Sequence, residues 1–124
     1  MFKAVIEQDG YGNKQTHYYL TQGDSCKINS TPYQNGEVIT TGISQCVFKL
    51  ATSNYISVEG FEEVSMTKQI DGNAYELIFA SGLSEKLAPG QYLYEIEYKL
   101  NDGGVATPHS WKFDILPQIK NPTV

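Results

Sequence analysis

The ten residues Gln91-Tyr92-Leu93-Tyr94-Glu95-Ile96-Glu97-Tyr98-Lys99-Leu100 alternate in character almost without a break. Tyr92, Tyr94, Ile96, Tyr98 and Leu100 form one series. Gln91, Leu93, Glu95, Glu97 and Lys99 form the other. Successive side chains of a strand point to opposite faces, so this segment reads as a strand with one dry and one wet face. The same period of two recurs from end to end. Cys26 and Ile28 alternate with Ser25, Lys27 and Asn29, and Cys46, Phe48 and Leu50 with Gln45, Val47 and Lys49. Val64, Met66 and Ile70 alternate with Glu63, Ser65, Thr67 and Gln69, although Lys68 interrupts the apolar series. Tyr75, Leu77 and Phe79 follow, then Trp111, Phe113 and Ile115 between Ser110, Lys112 and Asp114. Phe2, Ala4 and Ile6 make a weaker first strand, and residues 16–20 another.

The turn residues agree with strands. Asp71-Gly72-Asn73 and Asn101-Asp102-Gly103-Gly104 each join two strands, and Asp9-Gly10-Tyr11-Gly12-Asn13 is a longer turn near the start. Gly and Asn tolerate the positive φ that such connections need. The one helical candidate, residues 84–87, is stopped by Pro89-Gly90. About seven to nine short strands with turns every 8–12 residues predict an all-β fold. Two antiparallel sheets packed face to face are the simplest closure, and a closed barrel is the alternative. The expected organisation is one β-sandwich domain over residues 1–116, followed by a tail, 117–124, whose Pro117 and Pro122 cannot continue a central strand.

Length and composition bound the function. A chain of 124 residues suits one domain, and nine Tyr, five Phe and one Trp are enough to fill its core. Nine Lys and no Arg against 14 acidic residues give a net charge of −5. That balance disfavours a nucleic-acid partner, which needs clustered cations. No run of ~18 apolar residues is present to span a membrane. The opening Met1-Phe2-Lys3-Ala4-Val5-Ile6-Glu7 lacks the apolar run of a signal peptide. Cys26 and Cys46 cannot form a zinc site alone; they are either two buried thiols or a bridge closing a loop of about 20 residues, worth ~3 kcal/mol. Without a secretory signal, free thiols are expected.

No residue constellation names a reaction, and no cofactor or metal site is expected. Glu95 and Glu97 share a strand face, as the carboxylates of a glycoside hydrolase must, but Gln91 and Lys99 mark that face as solvated. His109, Ser110 and Asp114 supply the residue types of a hydrolytic triad. Neighbours on one strand point apart, however, so His109 and Ser110 cannot meet. Gly10-Tyr11-Gly12 is not a phosphate loop, because no helix follows it. Asn29-Ser30-Thr31 matches a glycosylation acceptor by chance. The tyrosines carry more weight. Tyr75, Tyr92, Tyr94 and Tyr98 fall on the expected core face, whereas Tyr11, Tyr18, Tyr19, Tyr33 and Tyr55, with Phe61, fall in loops or ambiguous strands. Exposed aromatics of this kind, Tyr33 and Tyr55 above all, can stack on sugar rings or anchor a protein contact.

Leu87-Ala88-Pro89-Gly90-Gln91-Tyr92-Leu93-Tyr94 resembles the corner before strand F of immunoglobulin-like sandwiches. There a Tyr bonds back to the preceding turn, the place taken here by Tyr92, with Leu87 as its apolar plug. Tyr94 stands where antibody domains have a Cys, and Phe48 where they have a core Trp, so the antibody disulfide framework is absent. A wider set of words points the same way. Gly23-Asp24 opens a strand, and Ile43-Ser44-Gln45-Cys46-Val47-Phe48-Lys49-Leu50 reads as a central one. The Leu87 corner, a Gly-rich hairpin and Thr107-Pro108-His109-Ser110-Trp111 complete the set. Over roughly residues 20–116 the chain resembles the small immunoglobulin-like modules of tailed-phage structural proteins, such as the N-terminal domain of baseplate upper proteins. That resemblance implies a non-enzymatic virion component of head, neck or baseplate. It would be made in the host cytoplasm, form a homo-oligomer in the particle, and dock to other virion proteins. The competing expectation is a carbohydrate-binding or host-surface-binding sandwich; a hydrolase is a third.

Overall fold

The computed structural model describes residues 1–34, 36–39, 41–70 and 72–119. Ten strands and one short helix follow in the order β1 (Phe2–Gln8), β2 (Lys14–Thr21), β3 (Cys26–Ser30), β4 (Tyr33–Gln34), β5 (Glu37–Val38), β6 (Ile43–Thr52), β7 (Val64–Lys68), β8 (Tyr75–Phe79), α1 (Ser81–Glu85), β9 (Gly90–Leu100) and β10 (Val105–Leu116). The eight longer strands form one hydrogen-bonded series, β1-β2-β10-β9-β6-β7-β8-β3, while β4 and β5 pair only with each other. The series folds into two layers at β7. Val64 and Met66 pair with Phe48 and Cys46 of β6, whereas Thr67 and Lys68 pair with Glu76 and Tyr75 of β8. The chain moves from β3 in the small layer to β6 in the large one, then through β7 back to β8, and out again to β9. This is an immunoglobulin-like antiparallel β-sandwich. β2 and β10 form the one parallel pair among the described residues, from Phe113↔Tyr18 to Leu116↔Thr21.

Alternation fixes the core. Tyr94, Ile96 and Tyr98 of β9, Cys46, Phe48 and Leu50 of β6, Cys26 and Ile28 of β3, and Phe113 and Ile115 of β10 are buried between the layers. Phe79 stacks on Phe61 at 5.1 Å and lies beside Phe113 at 5.5 Å, so rings from loop, small layer and large layer interlock. Each such side chain contributes about 1.5–3 kcal/mol of apolar transfer.

Several expectations change. Ile70 is fully exposed rather than in the core, because β7 ends at Lys68 and the chain has left the sandwich before it. Val47, on the outer face, is fully buried. Its strand neighbours Gln45 and Lys49 reach across to Ser65 (2.8 Å) and Glu97 (2.9 Å), and those two pairs ring it. Tyr18 and Phe61 are core residues, not loop aromatics. The helix spans Ser81–Glu85, starting three residues and ending two residues before the stretch the sequence points to. Ser84 explains that position: its buried hydroxyl donates to Asp24 O (2.6 Å) and accepts from Gly23 N–H (3.0 Å), pinning the helical turn to the corner before β3. Asp71 of the expected hairpin and Pro122 of the tail lie outside the described residues. Cys26 and Cys46 are free, buried thiols, one in each layer.

Candidate functional site

The outer face of the large layer carries the chemistry. Two rungs cross it: Ala51, Leu93 and Lys112 are register partners, and so are Lys49, Glu95 and Ser110. They lie in the floor of a cleft of about 990 Å³. The β1–β2 turn supplies one wall, with Tyr11, and the loop after β6 supplies another, with Tyr55. Trp111 also lines the cleft.

Local chemistry builds both walls. In the β1–β2 turn, Asp9 Oδ1 accepts from the N–H groups of Tyr11 and Asn13 at 2.9 Å each. That arrangement holds Tyr11 outward, 93% exposed. In the other loop, Thr52 N–H donates to Ile56 O and Tyr55 N–H to Thr52 O, closing a tight hairpin. Its last turn residue needs a left-handed backbone, a position that Gly or Asn ordinarily fills. Here Tyr55 fills it, at φ 62°, as the sole positive-φ residue other than Gly among the described residues. A bulky side chain in that region is strained by about 1 kcal/mol. The strained conformation presents a ring that is 82% exposed.

Trp111 stands where β2 and β10 part. Their ladder stops at Phe113↔Tyr18. Beyond it side chains span the gap. Gln15 donates to Pro108 O and accepts from Ser110 N–H, and Tyr94 Oη donates to Thr16 O at 2.7 Å. The Trp111 indole donates to Glu7 Oε1 at 2.8 Å. Lys112 Nζ lies 4.8 Å from the Trp111 ring, a cation–π distance. Next to this stands His17, 5% exposed. Its Nδ1 is 3.0 Å from Glu7 Oε1, its ring stacks on Tyr19 at 4.1 Å, and its Nε2 lies 3.2 Å from Asp114 Oδ1 without an aligned hydrogen bond. The indole N–H, and after it the His17 contact, hold the Glu7 carboxyl below its ordinary range.

The residues singled out in the sequence fall in different places. Tyr55 lines the cleft, but Tyr33, 64% exposed, lines a second hollow of about 540 Å³ between the β4–β5 hairpin and the end of β9. The structure does not bring them together. Tyr92 Oη donates to Ala88 O at 2.7 Å, and Leu87 is buried beneath that corner. Glu97 is tied to Lys49 at 2.9 Å, and this bond holds the Lys49 ammonium above its ordinary range. Glu95 remains exposed, with no ion pair among the described residues. Asp114 serves His17 and Gln91, not His109, whose imidazole is pushed down by burial. His109, Ser110 and Asp114 therefore assemble no triad. Among the described residues no cluster of three His, Cys, Asp or Glu could hold a metal ion. Sequence reasoning missed Tyr11 and Trp111 as partners of Tyr55, since 100 positions separate the first two and no periodicity links them.

No family model matches the chain, and no curated protein matches it. Among solved structures it is similar to the fibronectin(III)-like modules of Clostridium thermocellum CbhA, at 14% identity and a TM-score of 0.46. The match covers 94% of this chain and 98% of that one. The fold assignment rests on the sheet pairings given above and not on this likeness.

Proposed function

We propose that the chain is a non-catalytic binding module that holds a glycan in the outer-face cleft. The observation that carries this reading is the strained Tyr55, exposed across from polar floor residues and in the same cleft as Tyr11 and Trp111. Flat aromatic faces stack on the C–H faces of sugar rings, while Glu95, Lys49, Ser110 and Lys112 offer acceptors and donors to hydroxyls. An array of oligosaccharides probed with the isolated protein tests it. Saturable binding that Tyr55→Ala and Tyr11→Ala each weaken by about tenfold supports it, in line with the ~1–2 kcal/mol of one stacked ring. An unresponsive array contradicts it.

A second reading, a structural module of a phage virion docking to other virion proteins, is supported by the resemblance over roughly residues 20–116 and by the long free edge of β1. Mass spectrometry of purified particles decides that reading, and absence of the chain from them sinks it.

A further inference from the structure

β1 is the edge of the large layer, and nothing among the described residues pairs with its outer side. Edge strands are normally guarded by shortness, a Pro, a bulge or charged side chains, and of these β1 carries only the last, Lys3 and Glu7. β1 has seven residues, no Pro, and an unbroken register with β2 from Phe2↔Leu20 to Gln8↔Lys14. The phase of that ladder settles which backbone groups face outward. Thr21 N–H donates to Met1 O, and Asp9 N–H to Asn13 O. Odd-numbered residues of β1 therefore exchange bonds with β2, and the N–H and C=O groups of Phe2, Ala4, Ile6 and Gln8 point to the open side.

We propose that β1 pairs antiparallel with β1 of a second copy of this chain, about a two-fold axis at Val5. Only even-numbered residues can bond across this edge, and the axis at Val5 matches all four. Phe2 faces Gln8 of the other copy, and Ala4 faces Ile6, in both halves. Lys3 faces Glu7 twice, at the non-hydrogen-bonded positions where Cα atoms are ~4.5 Å apart and side chains come closest; Trp111 and His17 hold Glu7 Oε1, which leaves Oε2 for Lys3 of the other copy. Lys3 is exposed and has no ion pair among the described residues. An axis at Ala4 sets Lys3 against Val5, and an axis at Ile6 sets Glu7 against Val5 and Lys3 against Asp9, which lies past the end of β1 with its Oδ1 already bonded within its own turn. The same register brings Ala4 of one copy beside Ile6 of the other, whose side chain is 64% exposed in the single chain. Self-complementarity of this kind is what a two-fold contact requires. The junction is smaller than the ~1,200 Å² of a standard interface, so association is weak and concentration-dependent.

Light scattering on the full chain over a concentration series to about 0.5 mM tests the pairing. The mass should rise toward twice that of the chain. Ala4→Pro removes an outward donor and sets a ring against the incoming strand, yet spares the bonds to β2; it should return the mass to that of a monomer with an unchanged circular dichroism spectrum. Lys3→Glu should weaken association by about tenfold. Mild oxidation supplies a test of register. Val5→Cys meets its own copy within the ~4.4–6.8 Å that a disulfide spans and should cross-link, whereas Lys3→Cys faces Glu7 and should not. A monomer at every concentration, a dimer indifferent to Ala4→Pro, or equal cross-linking at positions 3 and 5 overturns the proposal. None of these results bears on glycan binding in the cleft.

Discussion

Trp111 and Glu7, 104 positions apart, meet at a 2.8 Å hydrogen bond across the splay between β2 and β10. The contact ties the first strand to the last beside the cleft that Trp111 lines. It also has a pH signature. The Glu7 carboxyl is held below its model-peptide value of 4.5 in the folded chain. A depressed folded value means that the stabilisation is fully present above 4.5 and is lost as pH falls through the folded value. Trp111→Phe should therefore unfold at lower temperature than the parent at about pH 6, and the gap should narrow by about pH 3. Glu63, whose carboxyl is held down chiefly by Lys99, is common to both proteins and cancels in the comparison.

Tyr55 sets function against stability. Tyr55→Gly relieves the left-handed strain at φ 62° and should raise stability by up to about 1 kcal/mol in urea unfolding. It also removes the ring, so glycan binding should fall. A variant that lost stability would show that Tyr55 serves the fold.

The core and the loop after β7 should respond very unequally to truncation. Phe113→Ala empties a fully buried site touching Phe48, Phe79 and Tyr18 and should cost about 3–5 kcal/mol. Ile70→Ala, fully exposed, should stay within about 0.5 kcal/mol. Equilibrium denaturation of the two variants measures both.

Burial pushes both thiols up to about 12. Few of these buried thiols would be thiolate at pH 8, and neither Cys26 nor Cys46 should react with a disulfide reagent until the chain unfolds. Two thiols should then titrate per chain in denaturant. Rapid labelling of the folded protein would contradict the packing of β3 against β6.

The layered architecture was legible because β9, β6 and β3 repeat one apolar position in two, and the core reads directly off that pattern. The boundary errors have physical causes. Ile70 keeps the phase of β7, but Lys68 marks where pairing ends, and periodicity alone does not register a strand end. Tyr18 and Tyr19 are adjacent aromatics, so their phase is ambiguous until Tyr18 pairs with Phe113 and Tyr19 stacks on His17. The cleft was legible only as scattered tyrosines. Its walls come from a turn at residue 11, a loop at 55 and a strand at 111, and the left-handed Tyr55 breaks the rule that such positions carry Gly or Asn.

Trp111 is the only tryptophan, and it lines the cleft. Titration of the protein with oligosaccharides, followed by indole emission, therefore carries a signal from that site. A saturable change in emission whose midpoint Tyr55→Ala raises by about tenfold is the expected result. Binding that leaves the emission of Trp111 unchanged, or whose midpoint is unaltered by Tyr55→Ala, would place the ligand elsewhere and contradict the account.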